Sequence, residues 1–302
     1  MSKILITGGA GFIGSAILKH LNNEQHEIFV IDNLSFGNRA FIDIPDSHFY
    51  QLDILNHDEL IKTIKKINPD KVIHLAAIHF IPYCNQHPFQ SANINIQGTM
   101  NVLEAIKQTN CNQVLFASTA AVYPIYDGAL SEEHETGPMD IYGLSKLTGE
   151  QLCQKFFLET GIATVICRFF NAFGPNETNP HLIPEIQHQI KSGKRTIELG
   201  NILPKRDFIH TYDMANAISI MIKKLTTGIT TINLGQGEEY AVTEIVNAFE
   251  RILNEKITIE IDEARVRKVE RMHLLADVSK LKALGWQPAI SIDMGIKTLL
   301  EA

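Results

Sequence analysis

The sequence has 302 residues, 45% of them hydrophobic and 20% charged, the make-up of an ordinary globular chain long enough to bury a large core. Lysine and arginine total 27 against 34 acidic residues. The resulting formal net charge of −7 argues against a non-specific nucleic-acid binder, which needs a basic face to neutralise phosphates.

A small anionic ligand stays open, because a few well-placed arginines suffice for one diphosphate. Cys84, Cys111, Cys153 and Cys167 form no CxxC pair, fall in predicted helices or buried strands, and read as packing residues rather than disulfide partners. The chain opens Met-Ser-Lys and enters a strand at once, without a signal-peptide pattern. No apolar run approaches the ~20 residues that span a membrane. A cytoplasmic protein without membrane contact is expected.

Along the first half, short β-branched runs alternate with longer helical patterns, which predicts an α/β fold built on a doubly wound, Rossmann-like parallel sheet. Strands are predicted at Lys3–Thr7, Glu27–Ile31, Phe49–Leu52, Lys71–Leu75, Gln113–Ala117 and Ala163–Arg168. Helices are predicted at Phe12–Asn22, His57–Lys66 and Asn95–Thr109, the second introduced by Asn56 and Glu59 in capping-box spacing. After Phe170 the texture changes. Residues 171–205 carry Pro175, Pro180, Pro184 and Pro204 and read as loops around a short helix. Asp207–Leu225 reads as helix, Thr230–Leu234 as strand and Val242–Leu253 as helix. With no repeat, low-complexity tract or flexible linker, two interleaved lobes are expected. Residues 1–170, rejoined by 206–236, form a dinucleotide-binding domain, and residues 171–205 and 237–302 form a smaller mixed α/β substrate lobe.

Gly8-Gly9-Ala10-Gly11-Phe12-Ile13-Gly14 follows a strand and opens a helix. Gly8 permits the tight turn, Gly11 lets backbone N–H groups approach a pyrophosphate, and Gly14 lets the helix pack closely on the sheet. The helix N-terminus then offers donors and partial positive charge to an anion. Asp32 closes the next strand, with Asn33 beside it. A carboxylate there accepts from a ribose hydroxyl and repels a 2′-phosphate, favouring NAD over NADP. Further on, Tyr142 and Lys146 stand four residues apart on one helix face. A nearby ammonium and a positive nicotinamide both stabilise the phenolate, so such a tyrosine is expected to take a proton near neutral pH.

The glycine spacing, the Ser118-Thr119 pair after the fifth strand and the Tyr142–Lys146 motif together resemble the extended short-chain dehydrogenase/reductase (NAD-dependent epimerase/dehydratase) family over essentially the whole chain. The resemblance implies NAD as cofactor and Thr119, Tyr142 and Lys146 as the catalytic group. It places Phe12 and Ile13 in the cofactor turn, Asp53 and Ile54 at the adenine, and Leu75, Ala76 and Ala77 along the nicotinamide side. Asn95 at a helix start, Ser118 and Phe170 complete the cofactor contacts. It also assigns Asn171, His181, Leu182, Arg206, Arg267, Glu270 and Leu274 to a nucleotide-sugar substrate, with the two arginines on its diphosphate. His181 replaces the family's asparagine, and Leu274 replaces a frequent tyrosine that restricts bulk around the sugar C2.

Related 4,6-dehydratases carry an Asp-Glu pair directly after the hydroxyl residue, and related decarboxylases keep the Glu. Here both positions are alanine, Ala120 and Ala121, which move no protons. The arrangement is therefore most similar to that of UDP-glucose 4-epimerases, with a UDP-hexose the favoured substrate. A sugar-nucleotide reductase or dehydrogenase and a non-catalytic NAD sensor are the alternatives. The resemblance also implies a homodimer formed through the helices at Asn95–Thr109 and Tyr142–Glu159.

Overall fold

The computed structural model describes residues 2–265 and 271–301. Its largest element is a seven-stranded sheet, in the spatial order Ile229–Leu234, Ala163–Phe169, Gln113–Thr119, Lys71–His74, Lys3–Thr7, Glu27–Asp32, Phe49–Gln51. Every neighbouring pair is parallel. The period of two along each strand sends alternate side chains to opposite faces. Ile4 and Ile6 accordingly join one apolar cluster and Leu5 the other, so both faces are buried under helices. From Lys3–Thr7 the chain winds outward through Glu27–Asp32 and Phe49–Gln51, then returns to Lys71–His74 on the other side of the first strand. That reversal opens a crevice at the carboxyl ends of the two central strands, where ligands of such sheets bind.

A third apolar cluster, including Phe173, Ile186, Phe208, Ile245, Phe249 and Ile296, lies among smaller sheets and helices. Asn171–Phe173 pairs in parallel with Lys205–His210, which pairs antiparallel with Glu239–Ala241. Thr196–Leu199 pairs with Thr258–Ile261. The helices here are Leu182–Lys191, Val242–Leu253 and Ile292–Glu301.

Three local expectations are corrected. Asp207–Leu225 is not one helix but the end of the strand Lys205–His210 followed by the helix Thr211–Lys224. The reason is Asp207, wholly buried, whose carboxylate accepts N–H bonds from Gln236, Gly237 and Ala276. His210 then caps the helix by accepting from the Tyr212 N–H. Residues 171–205 hold a ten-residue helix and two strands, because Pro184 sits in the helix's first turn, where its missing N–H costs nothing. Asn56 does precede the helix His57–Ile67, but its side chain makes no capping bond. All four cysteines are free and buried, with Cys111 in the irregular segment before its strand rather than in a helix or strand. No helix among the described residues is long and apolar enough to cross a membrane.

Candidate active site

The turn between the first strand and the helix Phe12–Asn22 is fixed by contacts that exclude side chains. Gly8 has φ of +73°, and a Cβ there would lie 2.8 Å from the Ala76 nitrogen on the neighbouring central strand's exit. A Cβ on Gly14 would lie 2.3 Å from the Gly8 carbonyl oxygen. No side chain caps the helix at Gly11, and no acidic residue occupies its first turn, so its N-terminal donors face the crevice uncompensated.

Asp32 lies at the rim of this crevice. Its carboxylate accepts from the N–H groups of Ala10 at 3.0 Å and Leu34 at 2.8 Å, and burial pushes its pKa above the ordinary carboxylate value. The Asn33 amide donates to Asp53 at 2.8 Å, and Asp53 also accepts from the Leu55 N–H. Arg39, the nearest basic residue along the chain, is committed to the carbonyls of Ile42 and Ile44.

The opposite wall is set by a hydrogen-bonded chain. His74 bonds Thr7 at 2.7 Å through Nδ1 and Thr99 at 3.0 Å through Nε2, while the Thr99 hydroxyl donates to the Asn95 carbonyl at 2.6 Å. Thr99 therefore accepts from His74, which places the imidazole proton on Nε2. Burial pushes the His74 pKa down to about 3, so the ring is neutral and carries the Leu75–Ala77 segment as a fixed wall. Asn95 is not at a helix start and does not line the cavity. It falls on a π-helical turn, Asn93–Gln97, inside a longer helical run. Its amide donates to the Ile78 carbonyl and Ser145 hydroxyl, each at 2.9 Å, and accepts from the Ile78 N–H at 2.8 Å. Its place is behind the wall, clamping it to the helix Ile141–Thr160.

That helix begins at Asp140, whose carboxylate accepts from the Gly143 N–H at 2.8 Å. Gly143 is required there, since a Cβ would lie 2.4 Å from the Ala121 carbonyl. The close approach brings Tyr142 toward Thr119, the last residue of the fifth strand in sequence, and both border the same cavity. One turn on, Lys146 is 3% exposed, with its Nζ 4.7 Å from the centroid of the Phe116 ring. Burial pushes the Lys146 pKa down to about 8. Burial also pushes Tyr142 above the usual phenol range, against the opposing pull of the Thr119 hydroxyl. By itself the protein thus raises the phenol, and the expected acid phenol requires the positive nicotinamide that would lie beside it.

Ser118 borders the cavity, but its hydroxyl donates to Glu150 at 2.5 Å rather than inward. Glu150 in turn receives Arg168 bidentately, at 2.9 and 2.7 Å. Arg168 also donates to the Tyr123 hydroxyl, which donates to Asn233. This satisfied network fastens three strands to the helix of Tyr142.

One cavity of about 1340 Å³ joins these parts, bordered by Gly8, Gly11, Phe12, Ile13, Gly14, Asp32, Asn33, Asp53, Ile54 and Leu75–Ala77 on one side. It continues past Thr119, Tyr142, Lys146 and Phe170 to Asn171, His181, Leu182, Arg206 and Leu274. Arg267 and Glu270 lie outside the described residues. Sequence reasoning missed Arg271, which borders the cavity without belonging to any motif. It also missed Glu177, which pairs with His181 at 3.3 Å and receives the Asn179 N–H, while Asn179 also bonds His79. The only signal for that cluster was the four-residue spacing of Glu177 and His181.

The sequence profile described as the NAD dependent epimerase/dehydratase family matches residues 4–235. The chain belongs to that family. Among its relatives, the UDP-glucose 4-epimerase of Streptomyces lividans is 30% identical, over 95% of this chain and 92% of the relative. The GDP-6-deoxy-D-talose 4-dehydrogenase of Aggregatibacter actinomycetemcomitans is 33% identical, over 92% of this chain and 90% of the relative. The crystal structure of a UDP-glucose 4-epimerase from Brucella ovis in complex with NAD superposes with a TM-score of 0.91 at 27% identity, covering 100% of this chain and 98% of that one. Membership makes NAD the cofactor this cavity serves, and the residues fit it. Gly8 and Gly14 leave no room for Cβ atoms, the helix N-terminus is uncapped, and the far rim presents the carboxylates of Asp32 and Asp53, with no lysine or arginine among the described residues that line the cavity there.

Proposed function

We propose that the chain is a 4-epimerase of a nucleoside-diphosphate hexose, a UDP-hexose foremost. The observation that carries this is the junction of Thr119, Tyr142 and Lys146 in a cavity where Ala120 and Ala121 offer no further acid or base. Gly8, Gly11, Phe12, Ile13 and Gly14 would hold the cofactor's pyrophosphate, Asp32 and Asn33 its ribose, and Asp53 and Ile54 its adenine. Leu75, Ala76, Ala77 and Phe170 would flank the nicotinamide. Bound NAD supplies a reversible acceptor for the hydride of C4.

Tyr142 takes the C4 hydroxyl proton, and Thr119 holds the same oxygen by a hydrogen bond. Lys146 provides the positive charge that the phenolate needs at that moment. The oxidised sugar would have room to turn over in the cavity, and Tyr142 would return the proton to the same oxygen when the opposite C4 configuration forms. Asn171, Arg206, His181 and Leu182 would anchor the nucleotide and diphosphate, far enough from C4 to let the sugar rotate. Because the proton and hydride both return to the sugar, the cofactor should stay bound through turnover.

Incubation with UDP-galactose and UDP-glucose, then with N-acetylated, dTDP, GDP and CDP analogues, tests this. Epimer formation from at least one is expected, and none from any would sink it. The dehydrogenase relative favours a second reading, in which oxidation or reduction at C4 is not reversed. Net NADH or NADPH turnover without an epimer would mark that case. A two-lobe division at the boundaries given above, a cytoplasmic location and a homodimer belong to the same proposal. The dimer is supported by Phe89, Leu158, Leu144 and Met100, which are 86%, 82%, 50% and 44% exposed on the helices through Pro88–Ile106 and Ile141–Thr160.

A further inference from the structure

We propose that Arg271 reads a carboxylate on the sugar, so that the preferred substrate is a nucleotide-activated sugar acid rather than a neutral hexose. The inference rests on the nucleotide-sugar reading above and narrows its substrate class. Arg271 borders the cavity, where its Nη2 donates to the Tyr123 carbonyl at 2.7 Å and approaches the Met139 sulfur at 3.9 Å. Its Nη1 is buried and has no partner among the described residues. A buried guanidinium donor without an acceptor is costly, and an arriving anion would relieve it.

The two contacts fix which end of the cavity it serves. Tyr123 follows the turn that Thr119 opens, and Met139 precedes Tyr142 by three residues, so the guanidinium stands on the two segments that carry the reacting groups. Among the described residues, Asp140 is the acid that acts on it, but that carboxylate already accepts from the Gly143 N–H. Burial first, and the charge of Arg206 second, push the Arg271 pKa below the ordinary arginine value, so the two guanidiniums stand close enough to repel. A negative charge brought beside Arg271 offsets that repulsion. With Arg206 on the diphosphate, the second charge falls on the sugar. A carboxylate matches the planar fork of a guanidinium, whereas a sugar hydroxyl would fill one donor and leave the charge uncompensated. Leu274, three residues on, offers that wall no polar group.

Calorimetry on the NAD-loaded chain with UDP, UDP-glucose and UDP-glucuronate tests the assignment. UDP-glucuronate should bind about ten-fold more tightly than UDP-glucose, as one charge-assisted pair would give. Arg271→Gln should erase that difference while leaving UDP affinity within about two-fold, and Arg271→Lys should restore part of it. Absence of the difference in the unmodified chain overturns the proposal, as does an equal loss of all three ligands in Arg271→Gln, which would put the guanidinium on the diphosphate. A chain that interconverts neutral UDP-hexoses without preferring the acid keeps the epimerase reading and overturns only this one. Failure to bind any of the three overturns both.

Discussion

At Tyr142 and Lys146 the same burial acts in opposite senses, raising the proton affinity of the phenol and lowering that of the ammonium. Each group is thereby held in its neutral form more readily than in water, and a positive charge brought beside the phenol shifts the balance toward phenolate. Tyr142→Phe removes the proton acceptor while keeping the ring. Turnover should fall by about 10²–10⁴, with NAD still co-purifying by mass spectrometry of the denatured chain. Unchanged turnover would eliminate Tyr142 as the base.

Lys146 makes a separate prediction about stability. Its pKa drops from 10.5 to about 8 on folding. Below pH 8 both states are protonated, and the buried charge opposes folding in full. Between pH 8 and 10.5 the folded chain has already released the proton while the unfolded chain still holds it, so stability rises with pH across that window. The whole effect is on the order of 3 kcal/mol. Urea unfolding of the cofactor-free protein at pH 7.5 and 9.5 should show this rise, and Lys146→Met should abolish it while stabilising the chain at the lower pH. An identical slope in both proteins would mean that the ammonium is solvated.

At the scale of elements, the turn from the first strand into the first helix has the least tolerance. Gly14→Ala would press a methyl group against the Gly8 carbonyl, at 2.3 Å before relaxation, and push the helix off the sheet. Bound NAD should be lost and the melting temperature should fall, whereas retention of both would show that the helix yields without disturbing the cradle. This turn was legible from residues alone, because glycine spacing, strand and helix periods all agreed. Five of the six predicted strands of the first half were legible for the same reason, their β-branched runs being buried on both faces. Asp207–His210 misled because polar residues in a strand look like a helix's solvent face when their partners are far away in sequence. Asp207 is held by residues 29, 30 and 69 positions distant. Asn95 misled in the same way, since a π-turn has no sequence period and only the fold shows that its amide faces Ile78. Arg271 carried no signal, as a lone arginine outside a motif reads as surface.

Across the whole molecule, the exit of strand Ala163–Phe169 into Asn171–Phe173 joins the large sheet to the smaller one, and Asp207 ties both to the tail through Ala276. The cavity between them thus has a rigid floor, the glycine turn and Tyr142, and a wall from the smaller sheets. The helix Ile141–Thr160 serves this cavity at its first turn and presents Leu158 to solvent near its other end. Sixteen residues at about 1.5 Å each put the two functions roughly 24 Å apart along its axis. An interface confined to the Leu158 end would leave the reacting groups at the helix's start undisturbed. Leu158 at 82% exposure and Phe89 at 86% are apolar side chains that a second copy would cover. Leu158→Asp combined with Met100→Asp should shift the protein from dimer to monomer in light scattering behind size exclusion. The variant should still co-purify with NAD, because the altered positions lie away from the glycine turn. Persistence of a dimer would place the interface on another face. A monomer that had also lost its cofactor would mean that the helix pair supports the cavity wall as well as the partner, through the clamp of Asn95 on Ile78 and Ser145.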